Sequence, residues 1–174
     1  MSAALDYADD LEATVRGTAR RLAGVADAEA ARRPAPGKWC AKEIIGHLID
    51  SAAHNHQRFV RARWKDDLVF EGYDQDAWVA AQRYQEATWS DLLDLWLAYN
   101  LHLARVMKAT PEAARLRSHA RHNLDQLAWK PVAKEQPATL DTFMRDYVDH
   151  LHHHLRQIDA LRLPGTASKE VQGG

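Results

Sequence analysis

The sequence contains a single cysteine, which excludes a framework of internal disulfide bonds. It also has almost no net charge, because 23 basic residues are interspersed with 24 acidic ones. No global field therefore favours nucleic acid or an anionic membrane as a partner. The apolar runs are far shorter than the ~20 residues that span a bilayer, and the N-terminal residues are acidic where a signal peptide is basic. We predict a cytoplasmic protein without a membrane segment.

Signals for β-strands and for internal repeats are also missing, whereas apolar residues recur with the period of an α-helix. The pattern predicts an all-α fold, a four-helix bundle with one short extra helix. A chain of 174 residues is long enough to form one domain with its own core. We therefore predict a single domain over residues 1–174, of which about 165–174 form a flexible polar tail.

Apolar stripes and capping residues predict where the helices lie. The long ones extend from about Ala3 to Ala23, from about Cys40 to Arg63, from the N-cap Ser90 to Thr110, and onward from the N-cap Thr139. Asp74 is the predicted N-cap of the short extra helix. Residues 112–136 lack clean periodicity and are predicted to form a short helix and an extended arm. Their basic residues are interpreted as a solvated face, or alternatively as a rim for an anionic substrate: Arg115, Arg117 and Arg121.

The last predicted helix carries histidines on its apolar stripe. Leucines, a methionine, a tyrosine and an isoleucine repeat there with helical spacing: Leu140, Met144, Tyr147, Leu151, Ile158 and Leu161. His154 occupies the one remaining position of the stripe, and His150 lies about 40° away from it around the helix axis. His152 is displaced from both by ~160°. His153 lies on the flank, and its angle alone leaves open an alternative pair with His150, three residues earlier. Two imidazoles are therefore predicted to face the core.

An imidazole in an apolar core needs a partner, because an unpaired buried polar group costs about 1–3 kcal/mol. Side chains four residues apart on a helix can bind one divalent ion together. Solvent-facing histidines, or core histidines bonded to carboxylates, are the alternatives. A third candidate ligand elsewhere in the chain would favour a metal site over these alternatives. His47 borders the apolar face of the second helix and supplies that candidate, with Asp50 one turn further on.

Three stretches resemble the DinB-like superfamily of four-helix-bundle proteins, which includes YfiT-like members. They are Pro36-Gly37-Lys38-Trp39-Cys40-Ala41-Lys42-Glu43-Ile44-Ile45-Gly46-His47-Leu48-Ile49-Asp50, then Tyr73-Asp74-Gln75-Asp76-Ala77-Trp78, then the HxxxH pair with Leu155, Gln157 and Ile158. The resemblance extends from the first helix to about Leu161, and it implies that His47, His150 and His154 bind zinc or nickel. Cys40 departs from the serine that the family often has there.

Three neutral histidines leave coordination positions open, as in catalytic metal sites. The ion can lower the pKa of water or activate a thiolate. Asp50 is the candidate general base or hydrogen-bond acceptor, although a plain surface carboxylate is an equal alternative. The resemblance implies a thiol-dependent S-transferase or a hydrolase acting on a small electrophile, with a low-molecular-weight thiol as the possible second partner. The alternative is a non-catalytic metal-binding stress-response or interaction protein.

Tryptophan is abundant, with six residues, and the stretches around Trp64, Trp78 and Trp89 hold more aromatic surface than one small core is expected to absorb. Aromatic residues are enriched in protein interfaces. Together with the dimers common in the resembling family, these stretches predict a homodimer.

Overall fold

A computed structural model describes residues 5–166 as an all-α four-helix bundle, the predicted architecture. The four long helices are α1 (Asp6–Leu22), α3 (Ala41–Ala62), α5 (Trp89–Lys108) and α8 (Leu140–Ala160). Both α1 and α3 pack against α5 and α8, so α3 and α8 are neighbours in the bundle. Within these residues β-structure is limited to two isolated bridges, and no helix is long and apolar enough to cross a membrane.

Shorter helices connect the long ones. They are α2 (Asp27–Ala30), α4 (Gln75–Gln82), a 3₁₀ turn (Tyr84–Glu86), α6 (Glu112–Arg115) and α7 (Leu124–Leu127). The predicted extra helix is α4. The others consist of a single turn, which is too short to produce a periodic hydrophobic pattern.

The predicted N-caps Asp74 and Thr139 are confirmed, since the side chain of each accepts backbone N–H groups of its own helix. The predicted N-cap Ser90 is wrong, because α5 begins at Trp89. Asp27 on α2 explains the difference: its Oδ1 accepts the Trp89 N–H at 2.8 Å. An acceptor from another helix thus replaces the local cap. The predicted start at Ala3 and residues 167–174 of the predicted tail lie outside the described residues.

The arginines between residues 115 and 121 do not form one solvated face. Arg115 is 1% exposed and ion-paired with Asp141 on α8, so the surface interpretation is wrong for this residue. Arg117 donates to the backbone carbonyl of Lys65, and Arg121 is exposed. None of the three lines a cavity beside the histidines, which removes their role as a substrate rim.

The core absorbs two tryptophans completely, Trp89 and Trp96. Trp89, from one of the three stretches predicted to exceed the capacity of the core, is thus buried and offers no surface for a dimer. Trp64 and Trp78 are 73% and 41% exposed, as the dimer hypothesis requires of surface tryptophans. Homodimerisation itself stays a prediction.

Gly46 lets the ring of Tyr84 pack directly against the backbone of α3. A Cβ atom added at Gly46 would lie under 3.0 Å from three atoms of that ring. The Tyr84 hydroxyl then reaches Asp50 on the next turn of α3, to which it donates a 2.7 Å hydrogen bond. The glycine thus fixes the 3₁₀ turn against the helix that carries His47.

Candidate metal centre

Three histidines from two helices meet at one point. His47 on α3 and His150 on α8 have their Nε2 atoms 3.4 Å apart, and Nε2 of His154 lies 3.0 Å from that of His150. The structure therefore brings together all three residues that the sequence singled out. Their ligand atoms lie within 4.8 Å of one another.

The two distances to Nε2 of His150 suit a single ion. Metal–nitrogen bonds of about 2.0–2.1 Å in a tetrahedral shell put neighbouring nitrogens ~3.3 Å apart. Without an ion, three nitrogens that face one another can satisfy themselves only partly, because a neutral imidazole has one N–H. None of these rings is hydrogen-bonded to a carboxylate of residues 5–166, which argues against the carboxylate-paired alternative.

Gln157 fixes the orientation of one ring. Nδ1–H of His154 donates to Oε1 of Gln157 at 2.8 Å, which leaves the lone pair of Nε2 directed at the other histidines. His47 is held by packing, since it is 2% exposed and the Trp39 ring lies with its centroid 5.1 Å away. Nδ1 of His47 has no hydrogen-bond partner.

Electrostatics keep the three rings neutral at physiological pH. Burial, followed by the neighbouring His154, lowers the pKa of His47 and of His150 to about 3 each. Burial also lowers the pKa of His154, while the hydrogen bond to Gln157 opposes that effect. A metal ligand must be deprotonated, so the rings are in the form that an ion binds.

The metal-free protein should lose stability as the pH falls from about 6.5 towards 3. In the unfolded chain these histidines take up protons near 6.5, whereas in the folded chain His47 and His150 stay neutral until about 3. The unfolded state therefore binds more protons throughout this window, and each of the two residues removes about 2 kcal/mol from the free energy of unfolding by pH 5.

Urea unfolding of the protein after removal of metal by a chelator (stripped protein), at pH 7, 6 and 5, measures how stability depends on pH. His47→Gln removes one titrating ring and should flatten the slope of stability against pH by up to half. A stripped protein that is as stable at pH 5 as at pH 7 would contradict the burial of neutral histidines.

The other two histidines of the cluster point elsewhere. His152 bonds through Nε2 to Asp10 on α1 at 2.7 Å, on the side of α8 away from the three rings. His153 accepts a hydrogen bond from Gln157 at 3.2 Å and lies beside the ring of Trp129. Because α8 is continuous through this segment, the register that puts His154 on the stripe is confirmed.

The carboxylate of Asp50 is buried but forms no hydrogen bond with His47, His150 or His154. Its Oδ1 accepts hydrogen bonds from the Tyr84 hydroxyl and from Nε2 of Gln82, each at 2.7 Å, and its Oδ2 has no partner. At 3% exposed, it is not a surface carboxylate. The sequence did not reveal Tyr84 and Gln82 as its partners. Gln157 was detectable, since it lies one turn after His154.

Two cavities open on the histidines. The Arg58 cavity has a volume of about 310 Å³ and is lined by His47, His150, Ser51, Asn55, Arg58 and Tyr73 among others. The Trp39 cavity has about 590 Å³ and is lined by His150, His154, Trp39, Trp129, Lys38 and Gln157 among others. His150 belongs to the walls of both, so the point where the three rings meet is accessible from two sides.

Comparisons with known proteins agree with this fold. A Bacillus subtilis (strain 168) protein named "Putative metal-dependent hydrolase YfiT" is 27% identical over 125 residues, which are 72% of this chain and 65% of that relative's length. A solved structure is described as YfiT from Bacillus subtilis, a probable metal-dependent hydrolase with an unusual four-helix bundle topology. The match covers 90% of this chain and 83% of the YfiT chain, with a TM-score of 0.72 and 19% sequence identity. The family model of the DinB superfamily matches residues 10–158. The chain belongs to the DinB superfamily.

Proposed function

We propose that the chain binds one divalent transition metal, zinc or nickel, through Nε2 of His47, His150 and His154 and hydrolyses a small-molecule substrate there. The observation that carries the proposal is the convergence of three neutral imidazoles beside two cavities, with Nε2 of His47 and of His154 at 3.4 and 3.0 Å from that of His150. The name of the Bacillus subtilis relative supports hydrolysis. Three protein ligands leave room for substrate, which distinguishes a catalytic from a structural site.

When bound, the ion supplies a Lewis acid that polarises a carbonyl group and lowers the pKa of water or of a thiol. The residues of the chain orient the histidine rings and cover part of their surface. Gln157 holds the tautomer of His154, and Trp39 covers His47 and His154 on the side of the Trp39 cavity.

For Asp50 we propose a positioning role. It does not line either cavity, so a direct proton transfer from substrate is disfavoured. Its unpartnered Oδ2 and the unpartnered Nδ1 of His47 are both buried and lie one turn apart on α3. Since no hydrogen bond joins them, the carboxylate acts on His47 through its charge alone, which favours the tautomer that carries the proton on Nδ1 and frees Nε2 for the ion.

A second candidate is transfer of a thiol to an electrophile, and a specific observation favours it. The two cavities share His150, Gln75 and Trp129 in their walls, so two different molecules can reach His150 from neighbouring cavities. A hydrolase needs only one such cavity besides access for water. A homodimeric assembly and a cytoplasmic location stay predictions from the sequence.

Assays on stripped and zinc- or nickel-reloaded protein test this function. Aryl esters and amides report hydrolysis, and 1-chloro-2,4-dinitrobenzene with cysteine or glutathione reports thiol transfer. Turnover should appear on reloading and vanish in His47→Ala. Ester cleavage without thiol indicates the hydrolase, and turnover that requires thiol indicates the transferase. Metal binding without any turnover across both panels would favour the non-catalytic alternative.

A further inference from the structure

Arg58 is a buried arginine in the wall of the Arg58 cavity, on the same helix as His47. The residue is only 7% exposed. Nη2 donates to the backbone carbonyl of Glu71 at 2.6 Å. Within the described part of the chain, this is the one hydrogen bond that the Arg58 side chain forms. A guanidinium has five N–H donors, so most of its donor capacity is left for other partners.

No carboxylate among residues 5–166 forms an ion pair with Arg58. Burial lowers the pKa of Arg58, and among residues 5–166 only Tyr73 opposes this effect. Asp146 lies in the wall of the same cavity, but its two oxygens accept the N–H groups of Trp129 and Lys130 at 2.9 and 2.8 Å. Proteins rarely bury a charge without a partner, so the cavity beside Arg58 offers a place for an anionic counter-charge.

The arginine and the histidine centre share one face of α3. His47, Ser51, Asn55 and Arg58 are spaced by four, four and three residues, and all of them line the cavity. With a rise of 1.5 Å per residue, the Cα atoms of His47 and Arg58 are ~16 Å apart along the helix. Asn55 and Ser51, between them, add polar side chains to this wall of the cavity. The cavity is therefore long, with the proposed metal at one end and a cation at the other.

We propose that Arg58 binds a carboxylate of the substrate, so that the substrate is an elongated monocarboxylate whose reacting group lies at the three histidines. This inference rests on the proposed metal-dependent function. A carboxylate matches the planar fork of the guanidinium, and its single charge balances that of one arginine. A phosphate dianion would leave one negative charge uncompensated in a cavity that already contains Asp146. The charge balance therefore favours a carboxylate.

Titration calorimetry with a matched pair of probes tests the inference. 4-Phenylbutyrate and 4-phenylbutyramide have the same shape, and only the first carries a charge. Hydrogen bonds to charged groups correspond to about a ten- to hundredfold change in affinity, so wild-type protein should bind the carboxylate at least tenfold tighter. Arg58→Gln should abolish the preference. Arg61→Gln, on the exposed side of the same helix, is the control and should retain it.

The measurements are made on both zinc-loaded and stripped protein, because a carboxylate can also bind a metal. A preference that persists in stripped protein and disappears in Arg58→Gln supports the inference even if the metal proposal fails. A preference that is lost on stripping but kept in Arg58→Gln places the anion on the metal and overturns it. Equal affinity for both probes, or no measurable binding of either at millimolar concentration, overturns it as well.

Two further measurements separate a binding role from a structural one. If Arg58 only anchors the loop through the Glu71 carbonyl, Arg58→Gln lowers the melting temperature while the ratio of the two affinities stays unchanged, and the inference fails. Arg58→Lys keeps the charge and should retain part of the preference, and it replaces the glutamine variant if that one does not fold. 3-Phenylpropyl phosphate binding more tightly than 4-phenylbutyrate would overturn the choice of a monocarboxylate.

Discussion

His154→Ala and His47→Ala should each lose most of the bound metal, whereas His152→Ala should retain it. Nε2 of His154 and of His47 lie 3.0 and 3.4 Å from that of His150, so each substitution removes one of three converging donors. The loss should exceed the roughly 10- to 100-fold loss of affinity that follows changes to residues behind the ligands. His152 instead bonds to Asp10 on α1 and has no access to the centre.

Each variant is stripped with a chelator, reloaded with one equivalent of zinc or nickel, desalted and analysed for metal. His153→Ala is a second control, because it removes a neighbouring imidazole without removing a converging nitrogen. Helical circular dichroism verifies that each stripped variant is folded. If His152→Ala loses metal while His154→Ala keeps it, the proposed ligand set is wrong.

Gly46→Ala should destabilise the protein by about 2–4 kcal/mol despite the higher helix propensity of alanine. The new Cβ would lie under 3.0 Å from the Tyr84 ring, which is rigid at the atoms concerned. Displacing the ring forfeits its hydrogen bond to the Asp50 carboxylate. Overpacking of a core costs about 1–3 kcal/mol of stability, and a hydrogen bond to a charged group contributes about 1.5–3 kcal/mol. The higher helix propensity of alanine offsets about 1 kcal/mol of this loss.

Gly17→Ala is the matched control for this prediction. Gly17 lies inside α1 with no atom within 4 Å of an added Cβ, so the same change should stabilise the protein by about 0.5–1 kcal/mol. Urea unfolding measures both variants. In a Tyr84→Ala background the clash is absent, and Gly46→Ala should become neutral or stabilising. Equal effects of Gly46→Ala in both backgrounds would show that Tyr84 is not the cause.

Hydrophobic periodicity was sufficient to predict the long helices and the orientation of the histidines. The stripe from Leu140 to Ile158 fixed the register of α8, because only His154 completes it. His47 could be identified because it borders the apolar face of α3, which packs against α8. These are properties of a single helix face, which a linear sequence displays directly.

Contacts between distant segments could not be predicted in this way. Asp27 caps α5 from 62 residues earlier in the chain, and Tyr84 reaches Asp50 from a 3₁₀ turn with no periodic pattern. Arg115 resembles a surface residue in the sequence, yet the bundle places Asp141 of α8 against it. In each case a polar partner supplied by tertiary packing determines the environment, and local propensity contains no information about it.

The separation of the histidines along the chain ties metal supply to the lifetime of the folded protein. His47 and His150 are 103 residues apart, so an unfolded chain must close a long loop, at an entropic cost of about 4 kcal/mol, before both can hold one ion. The folded bundle presents all three nitrogens already assembled. The proposed ion therefore binds the folded state preferentially and adds RT ln(1 + [M]/Kd) to its stability. In a cell whose proteases remove unfolded chains, the abundance of this protein would then follow the availability of its metal.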